Sequence, residues 1–407
     1  MTTISPPTAF TGEPPPVRTE VVLGTARGLP AHANFTTSRC EVAHPKEEPV
    51  NRKPGIARRI CRHIIGVTVT AALAAFAGPL GAQTSGPPTT LVVATFGGTL
   101  GQSLKEVYEP FEKQYNVTIR WVPGGSSAEN VARVAATKDN PEFDLVFGDN
   151  MTHYTGSAQG LWAKIDESIV THYKDQAAKA KVPTDDVINY GFWLAGIFYQ
   201  VKEFEKRGWK PPTKWTDLLR KEFCGRVGIN HPNVSYGLHG VLMLGGGDPA
   251  KIGDGIAKLA ADKSCIPVLE PTTAKLDEKV QLGDYLVGVH GNIRIIPLMQ
   301  KGTPVKFLIP EEGTIIGTST VSAVRNSEHP RLAQEFCNWI LRPDVQVKLM
   351  EKAYYGPTNM TVPVPREMVE LGVPNAEILK RTIYIPEKTI YENRRAWIHD
   401  IERAMEN

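Results

Sequence analysis

KGTPVKFLIPEEGTIIGTSTVSAVRNSEHPRLAQEFCNWILRPDVQVKLMEKAYYGP, residues 301–357, predicts a strand at Lys306–Ile309, a turn at Pro310-Glu311-Glu312-Gly313 and a returning strand at Ile315–Val324. A helix follows His329-Pro330, and Arg342-Pro343-Asp344 separates it from a second one. Proline lacks an amide hydrogen and fixes φ, so it suits the first turn of a helix and breaks a helix interior. Cys337 lies on the helix face of Phe336 and Ile340 and reads as core packing. The stretch contains no nucleophile or metal-ligand set.

Upstream, strands and helices alternate. Leu91–Thr95 is apolar and stops at Phe96-Gly97-Gly98, and Leu104, Val107, Tyr108 and Phe111 then recur at helical spacing. Val117–Val122 ends at Pro123-Gly124-Gly125-Ser126-Ser127, a helix runs from Ala128 to Lys138, and Phe143–Phe147 ends at Gly148-Asp149-Asn150. This alternation predicts a parallel sheet with helices on its faces, whose ligands gather beyond the carboxyl ends of the strands. Phe192–Gln200 is an apolar run that reads as a core strand or a crossing between domains. A second block repeats the pattern: a helix with Trp215, Leu218 and Leu219, strands at Val227–Asn230 and Ile266–Glu270, helices at Tyr236–Leu244 and Ile252–Ala261, and a strand-like run over Leu282–His290.

The formal charge of +3 is unevenly placed. Residues 1–82 hold nine Lys/Arg against five Asp/Glu, and the remainder holds 37 against 38, which is no footprint for nucleic acid. Residues 1–50 carry eight prolines and read as a disordered leader or a mis-assigned start. Residues 51–82 read as a signal peptide: Arg52, Lys53, Arg58, Arg59 and Arg62, then an uncharged run over Ile64–Ala77, then a cleavage site near Ala82 or Ala77. Ile60-Cys61-Arg62 does not continue the twin-arginine pattern that Arg58-Arg59 opens. An exported, periplasmic protein can hold a disulfide. Cys224 and Cys265 precede two strands whose starts meet if they are parallel neighbours; the alternative is free buried thiols.

Several fragments stand in a telling order: Phe96-Gly97-Gly98, Phe143-Asp144-Leu145-Val146, Gly196-Ile197-Phe198-Tyr199, Trp215-Thr216-Asp217-Leu218, Cys224-Gly225-Arg226-Val227, Pro310-Glu311-Glu312-Gly313 and Tyr355-Gly356-Pro357-Thr358-Asn359. From Leu91 to about Pro365 the chain resembles the spermidine/putrescine-binding branch of bacterial extracellular solute-binding proteins, the receptors of ABC importers. The resemblance implies an α/β, two-lobe type II periplasmic-binding fold, each lobe a central sheet flanked by helices and joined by hinge crossings. Lobe 1 is expected at 90–196 with 318–407, and lobe 2 at 197–317. It also implies a monomer, a membrane permease and an ATPase as partners, and no cofactor.

The candidate ligand residues line the expected cleft. Phe96, on the turn with Gly97 and Gly98, can face an ammonium group. Ser126 and Ser127 can contact a ligand or cap a helix. Asp149, beside Asn150, can pair with an amine or cap the next segment. Alternation turns Phe192 or Trp193 toward the cleft, and Trp193 is the favoured one. Ser235 and Tyr236 open a helix of the second block. Asn292 and Arg294 follow a strand, and Arg294 suits a carboxylate, phosphonate or sulfonate unless a surface acid such as Asp284 pairs with it. Polyamine binders carry acids near 231–239, where this chain has none. The set suits a zwitterion or an anionic solute such as an opine as well as a polyamine. Tyr354-Tyr355 leaves a ferric-ion receptor as a lesser alternative. The chain has no Walker loop, G-x-S-x-G, H-E-x-x-H or C-x-x-C, which argues against an enzyme.

Overall fold

The computed structural model describes residues 88–124, 126–266 and 268–406. The leader at 1–50, the signal peptide at 51–82 and its cleavage point lie outside the described residues.

In chain order, β1 (Thr89–Phe96), α1 (Gly98–Tyr115), β2 (Val117–Gly124), α2 (Ser127–Ala136), β3 (Leu145–Asp149) and α3 (Asn150–Ala158) form the first strand–helix series. β4 (Ile188–Gln200) then leads to α4 (Val201–Arg207), β5 (Val227–Asn230), α5 (Ser235–Leu244), α6 (Ile252–Ala261), β6 (Leu269–Glu270), α7 (Thr273–Leu282), β7 (Val287–Gly291), α8 (Asn292–Gln300) and β8 (Val305–Leu308). The chain returns through β9 (Thr314–Ala323) to α9 (Pro330–Ile340), α10 (Pro343–Ala353), α11 (Arg366–Leu371), α12 (Ala376–Lys380), β10 (Thr382–Ile383) and α13 (Glu387–Glu406).

The strands join in the order β2-β1-β3-β9-β4-β7-β5-β6, with β10 on β9 and β8 on β4. β1, β2 and β3 are mutually parallel, as are β7, β5 and β6. Two long antiparallel strands join these sets. Every residue of β4 and β9 is buried, which explains why 192–200 lacks polar alternation. β4 pairs with β9 over Ile188–Leu194 and with β7 over Ala195–Tyr199. One strand therefore runs through both halves of the sheet.

Prolines 330 and 343 occupy the first turns of α9 and α10, as their spacing predicts. α9 buries Phe336, Trp339 and Ile340 against Tyr108 and Phe111 of α1; the Phe111 ring lies 5.1 Å from Phe336 and 5.6 Å from Trp339. Cys337 is buried there, and burial pushes its thiol up to about 12. Three expected elements differ. Trp215–Leu219 is a single 3-10 turn, with Trp215 and Leu218 buried. The run over Leu282–His290 is two elements: α7 ends at Leu282, Gly283 takes a left-handed cap at φ 77°, and β7 begins at Val287. The expected strand at Ile266–Glu270 shortens to Leu269–Glu270. β5 and β6 are parallel neighbours, and Cys224 and Cys265 before them are joined by a disulfide of 2.12 Å.

Candidate functional site

Because β3 and β7 run in opposite senses, the carboxyl ends of the two strand sets face each other. Asp149, at the end of β3, is level with Ser319 of β9, which pairs with Gly191 of β4; Gly291, at the end of β7, pairs with Ala195 of β4. Gly191 and Ala195 are four residues apart, or about 13 Å along the strand. Phe192, Trp193 and Leu194 thus form the floor between two facing edges. Trp193 is buried, and the strand opposite makes room for it at Gly317, where a Cβ would lie 2.0 Å from the indole.

On the first edge, several predicted residues have local duties. Phe96 is half-buried at the end of β1 and packs on the main core, while Gly97 is the exposed N-cap of α1. α1 begins at Gly98. Ser126 caps α2 by accepting from the Glu129 amide at 3.1 Å, and Ser127 is the first residue of that helix. Asp149 caps α3 through the Thr152 amide at 3.0 Å. Asn150 is buried and donates to Glu387 of α13 at 2.8 Å. Ser126, Asp149 and Asn150 are each engaged within the fold, the first two as helix caps.

The second edge is an aromatic and basic cluster. Tyr236 lies edge-on to Trp193 with ring centres 4.8 Å apart and to His290 at 5.2 Å; His239 stacks on Trp193 at 5.3 Å. Ser235 is buried at the start of α5. Asn292 accepts from the Leu194 amide at 3.0 Å and donates to the Tyr354 carbonyl at 3.1 Å, so it ties α8 to the floor. Arg294 has its counter-ion in Asp277 at 3.5 Å, not in Asp284, which pairs with Lys279. Asp277 also holds His290 Nε2 at 2.8 Å. Burial works to raise the Asp277 carboxyl, but His290 and the charges of Arg294 and Lys301 outweigh it and hold the group below its ordinary value. Burial also works against the charge of Arg294, yet Asp277, Tyr236 and Tyr355 together keep it firmly protonated. Burial pushes His290 down despite Asp277, and it pushes His239 down to about 3, with Arg394 adding to the effect. Two buried imidazole nitrogens, Nδ1 of His239 and Nδ1 of His290, have no hydrogen-bond partner.

The two edges come together at two places. A small cavity of about 60 Å³ is lined by Leu100 and Ser103 of α1 together with Asp277 and Arg294. A larger one of about 650 Å³ lies between Met151 and Thr155 of α3, Asn233 after β5, and α13. α13 crosses from one edge to the other: Glu387 meets Asn150, Arg394 donates to the Asn233 carbonyl at 2.6 Å, and Glu402 meets His231 at 3.0 Å. The 15 residue steps from Glu387 to Glu402 span about 22 Å of helix. The sequence does not show where this helix docks, because its apolar anchors Ile390, Trp397 and Ile401 carry no sign of what they pack against. Tyr355 is buried, and its hydroxyl accepts from Ser319 at 3.1 Å. Among the described residues no three His, Cys, Asp or Glu side chains gather as a metal cluster.

Comparison with known proteins gives the family. Residues 106–370 match the model of the bacterial extracellular solute-binding proteins. The spermidine/putrescine-binding periplasmic protein of Escherichia coli K12 is 24% identical over 310 residues, 73% of this chain and 83% of that protein. Among solved structures, the binding protein MotA from A. tumefaciens B6 in complex with glucopine superposes with a TM-score of 0.66 at 16% identity, covering 78% of this chain and 100% of that one. AfuA from Actinobacillus pleuropneumoniae, with fructose-6-phosphate bound, gives a TM-score of 0.64 at 16% identity over 78% and 99% of the two chains. These relatives are transport receptors of the type II periplasmic-binding fold, not enzymes. The chain belongs to the bacterial extracellular solute-binding proteins and is a substrate-binding component of an ABC transporter.

Proposed function

We propose that this receptor captures a small organic solute of mixed or negative charge between the facing edges and hands it to a permease. Residues 90–196 with 318–407 act as one lobe and 197–317 as the other. The crossing strands β4 and β9 are the hinge about which they close. The observation that carries the reading is the buried Trp193 floor, about 13 Å long, with a strand-end edge on either side. An aromatic floor with few polar groups is the usual character of a small-molecule site.

The electrostatics favour this solute over a polyamine. A diamine needs a free carboxylate at each end. The acids near the facing edges each have a partner: Asp149 caps α3, Asp277 is held by His290 and Arg294, Glu387 accepts from Asn150, and Glu402 meets His231. The polyamine reading keeps the support of the E. coli relative and of Phe96 at the end of β1. Titration calorimetry with putrescine, spermidine, amino acids and sugar phosphates separates the two. The reading expects tight binding of an anionic or zwitterionic solute, returned chemically unchanged. Saturable binding of putrescine alone would refute the charge assignment.

A further inference from the structure

The C-terminal helix carries an arginine pair that the family match does not reach, since the match ends at residue 370 and α13 begins at Glu387. Arg394 uses one guanidinium nitrogen on the Asn233 carbonyl, while its Nε is buried without a partner. Arg395 is exposed and forms no ion pair among the described residues. Both line the 650 Å³ cavity together with Met151, Tyr391, Ile398 and Glu402. Glu402 is the one acid in that lining, and His231 engages it at 3.0 Å. Arg294, the cation on the other side of the site, is already paired with Asp277. In the larger cavity, positive charge with no acid paired to it therefore sits on α13, facing Met151 and Thr155 of α3 and Asn233 after β5.

We propose that this cavity is the acid-recognising part of the ligand site, in which Arg394 and Arg395 hold the carboxylate or phosphate of the solute while Met151 and Ile398 pack on its organic body. The inference rests on the receptor reading above. A guanidinium offers parallel donors that match an oxyanion, and a buried, unused N–H gains most when an acceptor arrives. α13 then serves as a specificity element: it touches both edges, so an acid bound to it is registered by both at once.

The test is calorimetry on the intact exported chain with glutamate, fructose 6-phosphate, inorganic phosphate and putrescine. The same titrations are run on Arg394→Gln, Arg395→Gln and Trp193→Leu, with urea unfolding as a check that each variant folds; Arg394→Lys replaces Arg394→Gln if the latter does not. The proposal expects an organic acid to bind, at least tenfold more weakly in either arginine variant. Glutamate and fructose 6-phosphate distinguish a carboxylate from a phosphate head group. Binding of inorganic phosphate alone would overturn the organic-solute assignment. Acid binding that survives both arginine variants but falls in Trp193→Leu would overturn the role of α13 and leave the receptor reading standing. If none of the four probes binds, both fall.

Discussion

Asp277 is the residue that sets the charge of the second edge, and nothing in its own neighbourhood of sequence says so. Nothing between residues 273 and 281 stands out in the sequence, while Asp284, just beyond the Gly283 cap of α7, looks the better partner for Arg294. Tertiary packing decides otherwise: Asp277, in the middle of α7, reaches both His290 at the end of β7 and Arg294 in the first turn of α8. Removing one member of a buried ion pair costs about 3–5 kcal/mol. Both groups keep some solvent access, so Asp277→Asn is expected to cost about 2–3 kcal/mol in urea unfolding; a loss below about 0.5 kcal/mol would show that the pair is not set as described. Two other buried groups give a pH signature. Burial holds His153 and His239 near 3, against 6.5 for a free imidazole. The unfolded chain therefore binds protons that the folded chain refuses. Their contribution is whole above pH 6.5 and is lost as pH falls below it, at about 1.4 kcal/mol per pH unit for each histidine down to about pH 3. Unfolding at pH 7 and pH 5 is expected to show this slope, with His290 adding to it, and His239→Phe to lower it by about 1.4 kcal/mol per pH unit. An unchanged slope in that variant would mean that His239 titrates normally. The aromatic residues were more legible than the charged ones. Alternation narrowed the expected cleft-facing residue to Phe192 or Trp193; both are buried, and Gly317 leaves space for the Trp193 indole.

The elements divide by whether their signal is local. Prolines 330 and 343, the glycine turns after β1 and β2, and the apolar runs of β3 and β4 are local signals, and each places an element end within a few residues. The run 282–290 misleads because Leu-Gly-Asp-Tyr-Leu is apolar enough for a strand, whereas Gly283 in the left-handed region stops a helix. α13 is the opposite case: a 20-residue amphipathic helix is plain in outline, but its docking across two edges comes from contacts with residues 150, 231 and 233, far away in sequence. Ile401 is fully buried on it. Ile401→Ala is expected to cost about 2–4 kcal/mol and to speed amide exchange along α13; exchange unchanged from the parent would contradict the strap. The disulfide closes 41 residues around β5, α5 and α6. The chain-entropy model gives it about 4 kcal/mol at most. Cys224→Ala with Cys265→Ala is expected to lower the unfolding midpoint by an amount near that while solute affinity stays within twofold, because β5 and β6 begin away from the cleft end of the strands.

At the scale of the whole molecule, one sheet is built so that two parallel sets of strands point at each other through a pair of shared antiparallel strands. That topology puts every strand-end loop of both sets around one gap. The order of motifs in the sequence was enough to identify the architecture, because it depends on a few punctuating glycines and prolines. The charge of the gap was not legible, because it depends on which acids already have partners within the fold: Asp149 at a helix start, Asp277 with His290 and Arg294, Glu402 with His231. The proposed capture of a solute between the two edges requires them to close on it. Small-angle X-ray scattering on the exported chain, free and saturated with the solute that calorimetry identifies, tests this directly. The account predicts a smaller radius of gyration with solute bound, reversed when the solute is dialysed away. Superimposable curves for the free and saturated protein would contradict it.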